Sequence, residues 1–136
     1  MQYFVTGASG FIGKRLVAKL LQRTDSTVHF LILASELDRV PALQAYWGDD
    51  GSRTHPVVGD LSESGCGVDS TVLKKLRGKI SHFFHLAAIY DLRASAEAMQ
   101  KANVDGTRNT IELATALASK HFHLVSSIAS AGLYEG

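Results

Sequence analysis

Apolar residues fall along this chain in two rhythms. Short, near-continuous runs alternate with longer stretches in which apolar positions recur every three or four residues. The first rhythm marks buried parallel strands and the second marks amphipathic helices. The runs predict strands over 2–6, 28–33, 56–58, 80–86 and 122–125. A helix is predicted over 10–22, burying Ile12, Leu16 and Leu20 with Val17 and Leu21. A helical segment over 36–47 has Ser35 or Asp38 as its cap. Pro41 either interrupts it or opens a second helical piece at its first turn. Trp47 packs at its end, and residues 48–51 form a turn. Residues 64–67 read as loop. Asp69 or Ser70 then caps a short helix with Val72, Leu73 and Leu76, which Gly78 closes. A long helix over 95–119 is expected to bury Thr107, Ile111, Ala114 and Leu117. Strand and helix alternate throughout, which argues for an α/β fold on a parallel sheet.

Composition narrows this picture. The 136 residues suffice for one domain with a core, and residues 1–136 are expected to form one. The formal net charge is +1, with no basic or acidic block, which argues against a nucleic-acid partner. No apolar stretch is long enough to span a bilayer. Cys66 is the sole cysteine, so no internal disulfide forms. With a strand at the very start of the chain, the expected location is the reducing cytoplasm.

The most informative stretch joins the first strand to the first helix: Thr6-Gly7-Ala8-Ser9-Gly10-Phe11-Ile12-Gly13. Gly7 suits a tight turn. Gly10 lets a pyrophosphate approach the backbone, and Gly13 lets the helix pack closely. The helix N-terminus offers N–H groups and a positive dipole end to phosphates. Lys14 and Arg15 sit where cations oppose that dipole. A nearby phosphate and simple solvation both remain open as explanations. Other signatures stand at strand ends, where ligands of open α/β sheets bind: Asp60-Leu61, Ala87-Ala88 and Ser126-Ser127. Asp60 is placed to accept from an adenine amino group. Ala87 and Ala88 are small enough for a cofactor to lie flat, and Asn103 is a candidate bridge beneath the site.

Taken in order, Thr6-Gly7-x-x-Gly10-x-x-Gly13, Asp60-Leu61, His85-Leu86-Ala87-Ala88, Asn103-Val104-x-Gly106-Thr107 and Val125-Ser126-Ser127 make the chain resemble the N-terminal part of an extended short-chain dehydrogenase/reductase. Ala45-Tyr46-Trp47-Gly48, His82-Phe83-Phe84-His85, Ala88-Ile89-Tyr90-Asp91 and the run from Ser127 to Leu133 are more specific. They resemble bacterial fatty acyl-CoA and fatty aldehyde reductases, of the thioester-reductase and male-sterility branch. Ser81 departs from that pattern, where the family usually carries aspartate.

The resemblance implies a three-layer Rossmann-like parallel sheet of order 3-2-1-4-5, truncated before the later strands. It implies reduction of a fatty acyl-CoA or fatty aldehyde by hydride transfer from a nicotinamide. Ser127 matches the serine that polarises the substrate carbonyl. Thr6, Gly7, Ser9, Gly10, Phe11, Ile12, Gly13, Lys14, Arg39, Asp60, Leu61, Ala87, Ala88 and Asn103 fall at cofactor-binding positions. Tyr90 is a weaker candidate for the substrate entrance. The family's Tyr-x-x-x-Lys pair is absent after Ser127. The expectation is therefore the first part of a longer enzyme, inactive by itself. NADPH is the implied cofactor, with NAD as the alternative: Glu36 suits a ribose 2′-OH, whereas Lys14, Arg15 or Arg39 suits a 2′-phosphate. An epimerase or hydroxysteroid dehydrogenase of the same superfamily, or a regulatory dinucleotide-binding module, are the other readings. No metal is expected, because His121 and His123 read as surface residues. The open edge of the fifth strand favours a homodimer or a marginally stable monomer.

Overall fold

A computed structural model describes residues 1–88 and 93–126. Its sheet is parallel throughout, in the expected order β3-β2-β1-β4-β5. The strands are β1 (Gln2–Thr6), β2 (Thr27–Ile32), β3 (Thr54–Val58), β4 (His82–His85) and β5 (His121–Leu124). The helices are α1 (Phe11–Leu20), α2 (Val40–Trp47), α3 (Ser70–Leu76) and α4 (Ala96–Ala116).

Period-two alternation along the strands builds two cores. Tyr3, Val5, Val28, Phe30 and Ile32 face one way and pack with Val17 of α1 and with Val40, Leu43 and Trp47 of α2. Phe4, Val57 and Phe83 face the other way and pack with Leu76 of α3 and with Leu113 and Ala114 of α4. Phe4 and Phe83 stack with ring centroids 4.8 Å apart. Trp47 closes the end of α2, as anticipated. Its ring meets Phe30 edge-on, and its indole N–H donates to the Lys14 carbonyl at 3.0 Å.

The helix faces follow the spacing in part: Val17 is buried, and Leu20 and Leu21 pack against the core. Ile12 is 58% exposed, while Gly13 and Val17 carry the buried side of α1. Ile111 is 49% exposed, while Ala114 and Leu117 are buried as expected and Gly106, Thr110 and Leu113 join them. The Thr110 hydroxyl donates to the Gly106 carbonyl at 2.8 Å, so a polar residue enters the core already satisfied.

Between β2 and α2 the segment Ala34–Arg39 is a 3-10 helix. Leu33 is its N-cap, and neither Ser35 nor Asp38 caps it. Pro41 falls at the start of α2, where its missing N–H costs nothing. Gly48 ends α2 with φ +67°. Residues 49–54 do more than turn: Asp49 Oδ2 accepts from the N–H groups of Gly51 and Thr54, which extends β3 two residues earlier than its apolar run. The Arg53 guanidinium donates to the carbonyls of Leu21, Arg23 and Ser26 and to the Ser26 hydroxyl, tying the α1–β2 loop to β3. Asp69 caps α3, accepting from Thr71 N–H at 2.7 Å. Ser95 caps α4.

Candidate functional site

The strand-to-helix turn is built around one carbonyl. Gly7 adopts φ +76°, and a Cβ there would lie 2.7 Å from the Ala87 nitrogen. A Cβ on Gly13 would run into the Gly7 carbonyl oxygen, so α1 is pressed against the turn itself. Gly10 N–H donates to that same oxygen at 3.1 Å. Gly10 is also the N-cap of α1. No side chain caps this helix, and no acidic residue stands in its first turn. Its leading N–H groups and dipole end thus suit a pyrophosphate, which meets no competing carboxylate there.

A buried polar chain holds this turn to its neighbours. Thr6 is fully buried. Its hydroxyl lies 2.6 Å from His85 Nδ1 and accepts from the Ala87 N–H at 3.3 Å. The far nitrogen of His85 lies 3.5 Å from the Thr107 hydroxyl. Burial lowers the His85 pKa, favouring a neutral ring. Thr6 therefore positions the ends of β1 and β4, and it is buried behind the cleft rather than in its lining. His85 supports the strand end, as its position implied.

A cleft of about 380 Å³ opens outside the carboxyl ends of the strands. Gly7, Ser9 and Gly10 line it from the turn, and Ala87 and Ala88 from the end of β4. Asp60 and Leu61 enter after β3. Asp60 Oδ1 accepts from Ser62 N–H at 2.8 Å and from Ser62 Oγ at 2.7 Å. These bonds hold the Asp60 carboxyl below its usual range, the backbone bond contributing most. The aspartate is thus ionised and fixed by its own turn. Gly59 is needed here as well, because a Cβ would come within 2.6 Å of the Cys66 carbonyl. Asn109 Nδ2 donates to the Leu61 carbonyl at 2.7 Å and anchors this loop to α4.

Other candidates stand elsewhere. Phe11 is 75% exposed and carries the Arg15 guanidinium 3.8 Å above its ring. Ile12 projects outward beside it. Lys14 lies over the Tyr46 ring at 5.3 Å, so both cations rest on aromatic faces at the start of α1. Arg39 pairs with Glu36 at 3.2 Å, and Glu36 itself lines the cleft. Asn103 lies on α4, outside the cleft lining. Ser127 and Tyr90 fall outside the described residues. Cys66 is a buried thiol at φ +58°, and burial raises its pKa. His123 Nε2 lies 3.0 Å from His82 Nδ1. Among the described residues, no cluster of three or more His, Cys, Asp or Glu is placed to hold a metal ion. Among them too, no helix is long and apolar enough to cross a membrane.

The sequence reading missed Phe30, Leu33 and Leu43, which form the apolar side of the cleft. Their signal was available, because β2 runs out beside the glycine turn.

Comparison with known proteins agrees with this geometry. The chain is 34% identical over 140 residues to a component of the linear gramicidin synthase of Brevibacillus parabrevis, covering 97% of this chain and 3% of that protein. It is 30% identical over 126 residues to a Drosophila melanogaster protein provisionally named a fatty acyl-CoA reductase, covering 84% of this chain and 23% of that one. Among solved structures, the terminal R domain from the myxalamid PKS-NRPS biosynthetic pathway superposes with a TM-score of 0.78 at 27% identity, covering 94% of this chain and 35% of that one. The chain therefore spans less than a quarter of these curated relatives. The family model of the NAD-binding male sterility proteins matches residues 5–136, and the chain belongs to that family.

Proposed function

We propose that this chain is the dinucleotide-holding part of an NADPH-dependent reductase acting on an acyl thioester or aldehyde, with a fatty acyl-CoA or fatty aldehyde as substrate. The observation that carries the reading is the cleft at the strand ends, closed on one side by a glycine turn with an uncapped helix behind it. When bound there, the dinucleotide supplies the hydride. The N-terminus of α1 neutralises its diphosphate, and Asp60 accepts from its adenine amino group. Ala87 and Ala88 leave room for its flat rings. Arg39, released from Glu36, meets the 2′-phosphate. Ser127 polarises the substrate carbonyl through its hydroxyl.

The name of the Drosophila relative supports an acyl-CoA. The higher identity to a gramicidin synthase component supports a second reading, in which the acyl group arrives from an assembly enzyme. In either case the family's tyrosine and lysine come from outside residues 1–136, so this chain alone binds nucleotide without turnover. The same reading places it in the cytoplasm, self-associating through the β5 edge.

Fluorescence titration of the chain with NADPH and with NADH tests the cofactor assignment. Saturable binding that favours NADPH supports it, and a preference for NADH removes the 2′-phosphate role of Arg39. Product analysis of the full-length protein with a fatty acyl-CoA tests the substrate. Light scattering tests the self-association, and a monomer at high concentration rejects it.

A further inference from the structure

At the other end of the strands from the glycine turn lies a second cavity, of about 390 Å³. The early parts of β1, β2 and β3 form its floor, and α3 forms its wall. Gln2 pairs with Thr27 and His29 with His55, and Phe4 pairs with His29. The four polar side chains therefore share one face of the sheet. Lys75 in α3 and Lys79 just beyond it also line the cavity, beside the apolar Pro56, Val57, Val72 and Leu76. Every ionisable group in that lining is a histidine or a lysine.

His29 is the telling member. It is only 7% exposed, on a strand whose neighbouring positions are apolar. Its Nε2 lies 3.0 Å from Gln2 Oε1. A carboxamide oxygen only accepts, so Nε2 donates and Nδ1 keeps its lone pair. His55 faces it from β3 and Lys75 from α3, while β1 offers only the neutral Gln2. Burial first, then the charges of His55 and Lys75, push its pKa down to about 4. A cavity that served packing alone gains nothing from gathering cations around a buried imidazole. The same set becomes favourable once a negative group enters, and protonation of Nδ1 then adds a further donor.

We propose that this cavity binds a small tetrahedral oxyanion, free phosphate or a compact phosphate monoester, through Lys75, Lys79, His55 and His29. The site is separate from the dinucleotide cleft and does not depend on how that cleft is used. An anion inside raises the His29 pKa from its empty value. Between the two values the bound form carries the extra proton, so binding tightens as pH falls towards 6.

The test is a titration of the chain with inorganic phosphate, glycerol phosphate and sulfate, read by the imidazole C–H resonances of His29 and His55. No histidine lines the dinucleotide cleft, so these signals report the second cavity. Saturable shifts are expected with phosphate. Tighter binding of glycerol phosphate marks a monoester site, and equal binding marks a site for the bare oxyanion. Sulfate keeps its charge across the range and should bind more tightly at pH 6 than at pH 8. Lys75→Gln with Lys79→Gln, both exposed and removable without disturbing the core, should weaken binding at least about fivefold. His29→Gln should weaken the pH dependence, leaving only what His55 contributes, and the lysine pair keeps the test decisive if that variant does not fold. Shifts that chloride reproduces at equal ionic strength, or that persist unchanged in the lysine variant, overturn the proposal.

Discussion

β1 and β5 belong to one sheet and live in different surroundings. Four of the five residues of β1 are buried, whereas all four of β5 are exposed. Both strands carry apolar residues, and Phe122 of β5 stacks on Phe83 at 5.5 Å. The difference lies in coverage. α1 and α2 close one face over β1 and β2, while α3 and α4 close the other. Among the described residues, the helical cover stops short of β5. The dinucleotide cleft rests wholly on the covered part, from β3 to the end of β4. The serine expected to act on substrate follows the uncovered strand. On the proposed function, holding a cofactor and transforming a substrate would thus draw on parts of the sheet with unequal support.

The change that breaks both the covered part and its cleft is Gly13→Ala. The added methyl group has no room against the Gly7 carbonyl, and the helix must move off the turn. Nucleotide binding should vanish, with a loss of about 3 kcal/mol in urea unfolding. The comparison itself is measured by two truncations in one aromatic stack. Phe83→Ala should cost about 3–5 kcal/mol, because Phe83 is fully buried. Phe122→Ala should cost about 1 kcal/mol, because its ring is already partly in water. Equal losses in chemical denaturation would mean that β5 is as well supported as the covered strand β4 beside it.

pH acts on the covered part through His29. Its pKa is depressed from 6.5 to about 4, so the unfolded chain takes up a proton first as pH falls. Stability is complete above pH 6.5 and declines as pH drops towards 4, by up to about 3 kcal/mol. His29→Gln should flatten that slope in a series of urea titrations. Thr6→Val leaves His85 Nδ1 and the Ala87 N–H without their shared partner, and should cost about 1–3 kcal/mol. Its further signature is weaker nucleotide binding, since Ala87 lines the cleft. The mildest change is Glu36→Gln. Freeing Arg39 should raise the preference for NADPH over NADH by a few-fold, read from the two dissociation constants.

The strands and the glycine turn were legible because both follow from local pattern: apolar runs of strand length, and three glycines between a strand and a helix; the strand order was legible only through the family resemblance. The faces of α1 and α4 were less so. Spacing alone offers Ile12 or Gly13, and Ile111 or Thr110, as inward positions. Close approach decided for Gly13, and a self-satisfied hydroxyl decided for Thr110. The supports of the site were hidden for another reason. Thr6 meets His85 across 79 residues, and Asn109 reaches Leu61 across 48. Such pairs exist only after β1, β4 and α4 have come together. Nor does the sequence show that Arg15 lies over Phe11, Lys14 over Tyr46 and Arg39 beside Glu36.

Arg53 carries a consequence of its own. Its guanidinium is satisfied by three backbone carbonyls and the Ser26 hydroxyl, and the residue is only half-exposed. A cation held by fixed dipoles has no counter-ion for salt to displace and no carboxylate for acid to neutralise. The joint between the α1–β2 loop and β3 should therefore survive brine and mild acid that loosen the ion pairs at Asp25 and Glu36.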